Sequence, residues 1–73
     1  MTTESTIKDA IARSISHNEI VRVTFTGGDI IAALTEVQII AEDCDNVTEN
    51  NGDEDVWGTI ENGDEFRIRI AIA

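Results

Sequence analysis

The chain has no proline and no tyrosine, and it has one cysteine, one tryptophan and only five lysine or arginine residues among 73. Each shortage excludes something. The single Cys44 cannot form an internal disulfide, and with the lone His17 it cannot complete the nitrogen and sulfur ligand set of a zinc or other transition-metal site. Absence of proline leaves the loops without preset backbone angles. No apolar stretch approaches the roughly 20 residues that cross a bilayer, and the opening MTTESTIKDA has no basic region leading into an apolar one, so a cytoplasmic protein is expected. A chain this short buries only roughly 60% of the surface its unfolded form exposes. Added stability must come from well-ordered packing or from self-association, and a homodimer is one such route.

What is present is negative charge. Fifteen Asp and Glu against five Lys and Arg give a net charge of -10, while 41% apolar content separates the chain from acidic disordered tails. The charge is uneven. Ten carboxylates fall between Glu42 and Glu65, with no Lys or Arg among them. Such a surface repels nucleic acid and anionic membranes, which excludes direct binding to either.

Hydrophobic periodicity supplies the elements. Ile7, Ile11 and Ile15 recur at spacing four beside Ala10 and Ala12, predicting an amphipathic helix over residues 4–17, capped by Ser5 or Thr3 and closed by Asn18. From Ile20 to Thr26 the period becomes two, with Val21, Val23 and Phe25 on one face, and Gly27-Gly28 ends this strand. Asp29 then precedes Ile30, Leu34, Val37 and Ala41, the stripe of a second helix over residues 30–42; the β-branched stretch 35–40 also fits a strand. Residues 43–54, rich in Asn and carboxylates, read as an exposed loop. The segments 55–60 and 65–72 flank Asn62-Gly63, the signal of a two-residue type I′ hairpin turn. That turn pairs Trp57 with Ile68 and Thr59 with Phe66, which sends Trp57 into the core.

The expected fold is therefore α+β, one small domain over residues 1–73. Its order is helix, strand, helix, strand, strand, with the helices on one face of a small antiparallel sheet. The alternative is one helix on a four-stranded sheet.

Motifs for chemistry are scarce. Carboxylates in hydrophilic turns lack the desolvated pocket that separates an acid from a base, and His17 sits where a helix-terminal residue belongs, so no enzyme is expected. Gly27-Gly28-Asp29 reads as a turn and cap, because Asp29 repels phosphate at that helix start. Asp53, Asp55, Gly58 and Asp64 stand at EF-hand positions one, three, six and twelve. Trp57 at position five, and Asp64 where the longer Glu is needed, argue against calcium. No metal or other cofactor is expected.

The acidic run is thus the candidate site. It reads either as a solvated rim that keeps a small protein soluble or as a surface for a basic partner. Clustered like charges repel, and a cationic partner offsets that cost. Asp43, Asp45, Glu49, Asp53, Glu54, Asp55, Glu61, Asp64 and Glu65 are the candidate partner-binding residues, two rows of carboxylates on a loop and a hairpin.

In size, charge and compact α+β pattern the whole chain resembles the small acidic inhibitors that bacteriophages and mobile elements use against host nucleases, anti-CRISPR and anti-restriction proteins among them. The resemblance rests on no motif. It implies a DNA mimic that blocks the positively charged channel of a DNA-binding protein, such as a CRISPR effector complex, in the bacterial host cytoplasm. The alternatives are an acidic structural or adaptor domain acting by protein–protein association and, behind it, a calcium-binding module.

Overall fold

A computed structural model describes residues 2–73. Helix α1 spans Thr3–His17; strand β1, Val21–Phe25, is followed by a 3-10 turn at Gly27–Asp29 and helix α2, Ile30–Ile40. Strands β2 (Asp43–Thr48), β3 (Glu54–Thr59) and β4 (Glu65–Ile72) complete the chain. The class is α+β, as the periodicity indicates.

Helix α1 starts at Thr3, and its cap is Thr2, one residue before Thr3 and three before Ser5, the two expected caps. Thr2 accepts from the Ser5 backbone N–H at 3.1 Å while Ser5 Oγ accepts from the Thr2 N–H at 3.2 Å, a reciprocal box that satisfies two of the helix's free donors. Asn18 ends it in the left-handed region at φ 51°, which Asn tolerates better than most residues. Ile7, Ala10, Ile11 and Ser14 form its buried stripe. Helix α2 is apolar nearly all round and buries only Ala33 and Val37 fully, leaving Ile31 and Ile39 exposed.

The sheet order is β1-β4-β3-β2. Strand β4 is central: it runs antiparallel to β3 and parallel to β1, with Val21 beside Ile68 and Val23 beside Ile70. The sheet is therefore mixed, where an antiparallel one was expected, because the α2 crossover returns the chain to the far side of β4. Both helices cover the face that carries Val21, Val56, Phe66, Ile68 and Ile70, and these residues form one core with Ile7, Ile11, Ala33 and Val37. The opposite face is open.

Two expectations are corrected. Residues 43–48 form β2 instead of a loop, pairing along all of β3 from Asp43 with Thr59 to Thr48 with Glu54. An edge strand whose side chains are almost all exposed has no burial alternation for its sequence to display. The β3–β4 turn is also one residue longer than the type I′ form. Ile60 N–H donates to Asp64 at 3.0 Å and Gly63 N–H to Ile60 at 2.8 Å, leaving a three-residue loop with Gly63 at φ 89°.

That extra residue changes every pairing. Trp57 faces Arg67, and Val56 faces Ile68. Val56 is consequently 3% exposed in the core and Trp57 is 41% exposed on the open face.

The β2–β3 turn repeats the same device. Asn-Gly-Asp-Glu occurs at residues 51–54 and again at 62–65. In each copy the Asn amide oxygen accepts from the Asp N–H, at 3.2 Å for Asn51 with Asp53 and 3.0 Å for Asn62 with Asp64. Its amide nitrogen donates back to the Asp carboxylate at 3.0 Å in both. Gly52, at φ 91°, matches Gly63.

Urea unfolding checks the register. Phe66→Ala is expected to cost about 3–5 kcal/mol through the cavity it leaves, whereas Trp57→Ala costs under about 1 kcal/mol. Comparable costs would place Trp57 in the core after all.

Candidate acidic interface

Strand directions decide where the carboxylates go. β2 and β4 begin at the end of the sheet where β3 finishes, and β1, parallel to β4, begins there too. Residues at these strand starts and in the β3–β4 turn therefore share one end. Glu19 lies just before β1, Glu42 and Asp43 open β2, Glu61 and Asp64 sit in the turn, and Glu65 opens β4; all six are exposed. Asp45 follows on the open face beside Trp57.

Little positive charge tempers this end. His17 Nδ1 lies 3.7 Å from a Glu19 oxygen, and Arg67 borders a shallow cleft of about 360 Å³ with Glu19, Trp57, Thr59 and Glu65. Among the described residues Arg67 makes no ion pair. Backbone pairing on β3 and the Asn62–Asp64 bonds hold the turn.

Four of the predicted site residues, Asp43, Glu61, Asp64 and Glu65, meet at this end, with Asp45 adjoining. The other four do not join them. Glu49 lies in the β2–β3 turn, across the length of the six-residue β3, roughly 20 Å away at about 3.3 Å per residue.

Asp53, Glu54 and Asp55 are engaged within the fold. Asp53 is 6% exposed and accepts from the Ile72 N–H at 3.1 Å, tying the turn to the end of β4. Glu54 is 8% exposed and accepts from Asn46 Nδ2 at 2.8 Å and from Thr48 Oγ1 at 2.5 Å. Asp55 receives a two-pronged bond from Arg69, Nε at 2.6 Å and Nη2 at 3.0 Å. Their burial had no signal in composition, because a run of acids looks the same whether its members face water or hydrogen-bond donors. Glu19 was missed for the opposite reason. It is distant in sequence, and only the parallel pairing of β1 with β4 brings it in.

Titration follows the geometry. The Arg69 guanidinium holds the Asp55 carboxyl below the usual aspartate range, while Asp55, by a hydrogen bond that needs a shared proton and by its charge, pushes the Glu49 carboxyl up. Burial raises the Cys44 thiol, and flanking Asp43 and Asp45 raise it further, so the thiolate is disfavoured. Asp53, Asp55 and Asp64, the EF-hand positions, are split between opposite ends of β3. No group of three or more potential ligands among the described residues is arranged to hold a metal ion.

Comparison with known proteins finds no matching family model, no matching characterised relative and no matching solved structure.

Two outcomes are expected in stability measurements. Glu54→Ala costs about 1–2 kcal/mol by removing the acceptor of two charge-assisted hydrogen bonds from Asn46 and Thr48, against under about 0.5 kcal/mol for Glu61→Gln, as read by chemical denaturation. A lowered Asp55 pKa makes its contribution present above the ordinary aspartate value and lost as pH falls through the lower folded value. Glu49 has the opposite sign: its raised pKa favours the fold at low pH, and that advantage is lost as pH rises through the folded value. Glu49→Gln should therefore raise the melting temperature at neutral pH, and Asp55→Asn should lower it.

Proposed function

We propose that this chain is an inhibitor of anti-CRISPR type, which sets its carboxylate-rich sheet end into the positively charged nucleic-acid site of a bacterial defence complex in place of DNA phosphates. One observation carries the reading: strand polarity gathers six exposed carboxylates from three separate segments at one end of a small sheet. Like charges brought together from Glu19 to Glu65 raise the free energy of the isolated protein, and a cationic groove offsets that cost. The groups sit on strand ends and a pinned turn, so little conformational entropy is lost on docking.

Duplex DNA carries a negative charge about every 1.7 Å of its axis, and its binders meet it with Lys and Arg. A surface of carboxylates at the starts of β2 and β4, two strand spacings or about 10 Å apart with the turn acids between, offers those same side chains an alternative. The protein acts in the host cytoplasm, where such complexes work. No helix among the described residues is long and apolar enough to cross a membrane. An acidic assembly domain is the second reading, favoured by the exposure of Trp57 on the open face.

The test uses a panel of purified CRISPR effector complexes and a DNA-cleavage assay. The unaltered protein should inhibit at least one, with affinity weakening at least about tenfold between low and physiological salt. The triple variant Glu42→Lys, Glu61→Lys and Glu65→Lys should lose inhibition by about 100-fold, while Glu49→Lys at the other end stays within about threefold. Inhibition by the triple variant at full strength would refute the role of this end. Reversal at Asp53 to Asp55 is the wrong probe, since those residues hold the fold.

A further inference from the structure

The open sheet face is divided by charge. The β2 side shows Asp43 and Asp45, and the β4 and β1 side shows Arg67, Arg69 and Arg22; pairing sets Asp45, Trp57 and Arg67 in one row and Val47, Asp55, Arg69 and Arg22 in the next. Asp55 is neutralised by Arg69. Trp57 lies between the two signs, with exposed Val47 (50%) on one side and exposed Ile20 (51%) on the other. Glu65, at the rim, is the acid on the basic side.

We propose that this face is a homodimer interface, closed by a two-fold axis along β3. Turning a second copy over about that line lays its β4 on β2 of the first. Trp57 then stacks on Trp57 of the other copy, and in that central row Asp45 meets Arg67 of the other copy twice, once on each side of the axis, while at the solvent-screened rim Asp43 meets Glu65 of the other copy and weakens the contact. Within one copy those two residues are separated by β3, so neither satisfies the other.

Charge complementarity selects a second copy as the occupant. Two chains of net charge -10 repel, so a lasting contact needs local positive charge on the surface that is shared. Of the five Lys and Arg, Lys8 pairs with Glu4 and Arg13 faces Asp9 on α1, while the other three lie on this face. The exposed Ile31 and Ile39 of α2 offer apolar surface with no cation beside them on that helix.

Area sets the strength. Turned about β3, the strands β4, β3 and β2 of each copy overlap and β1 overhangs; three strands about 4.8 Å apart, each about six residues long at about 3.3 Å, give a face roughly 15 by 20 Å. Two such faces bury on the order of 600–800 Å², below the size of a stable dimer, so only a weak, concentration-dependent one is expected. Self-association here is independent of the target proposed for the acidic end, but it places both acidic ends side by side, about 10 Å apart by the usual spacing of packed sheets.

Sedimentation velocity from about 10 μM to about 1 mM should show mass rising from monomer towards dimer, with Trp57 fluorescence shifting to the blue in step. Asp45→Arg and Arg67→Glu should each weaken association at least about tenfold, since each juxtaposes like charges twice. Mixing the two single variants should restore it, because both contacts become complementary again. Ile31→Asp with Ile39→Asp on α2 should change nothing. A monomer at the highest concentration, a mixture that stays monomeric, or loss on the α2 substitutions would overturn the proposal. So would quenching of Trp57 by a single-stranded oligonucleotide without self-association.

Discussion

Everything distinctive in this molecule depends on the register of the β3–β4 hairpin. Side chains alternate across a strand, so a slip of one residue exchanges the buried set for the exposed set. Gly63, at φ 89°, accommodates the third loop residue, and the two bonds between Asn62 and Asp64 lock it. Val56 thereby enters the core opposite Ile68, and Trp57 is turned to the solvent. Had the two-residue turn formed, Asp55 would face the core and Arg69 would lose its partner.

The same local sequence, Asn-Gly-Asp-Glu, builds both hairpins, yet its acids end in different places. Asp53 and Glu54 in the first copy turn into hydrogen-bond donors supplied by Ile72, Asn46 and Thr48. Asp64 and Glu65 in the second copy stay exposed. The difference comes from what lies beyond each turn. Gly52 packs so close to Ile72 that an added Cβ would come within 2.8 Å of its Cδ1, whereas Gly63 has open space around it. One copy closes the sheet and the other projects from it.

Much of this was legible in residue spacing. The α1 stripe and the β1 alternation read directly, because each has one buried face and one wet face. Helix α2 was legible by its spacing of four and three, although its β-branched residues suit a strand equally well; packing on α1 favours the helix, whereas the expected Asp29 cap does not form, its carboxylate accepting from Thr26 Oγ1 at 2.9 Å instead. Strand β2 was not legible, since an exposed edge strand buries nothing that a pattern could report. The candidate site was half legible. Asp43, Glu61, Asp64 and Glu65 were found by charge density, while the burial of Asp53 and Glu54 depends on donors from β2 and β4 that no local reading could place.

Segregation of charge links the acidic end to the open face. The chain has few cations, and the fold places Arg22, Arg67 and Arg69 on one side of the sheet, with Arg69 committed to Asp55. This leaves the sheet end from Glu19 to Glu65 with more acids than cations and gives the face beside it two signs. Had the same arginines been scattered, both features would vanish: the end would be partly neutralised and the face would carry no pattern for another surface to match. Because separation within roughly one Debye length, about 8 Å at physiological salt, is enough for opposite charges to interact, Arg67 still reaches Glu65 and Glu19 around the shared cleft. Arg67 therefore borders both surfaces, on the open face by its place in β4 and at the acidic end by the cleft it shares with Glu19 and Glu65.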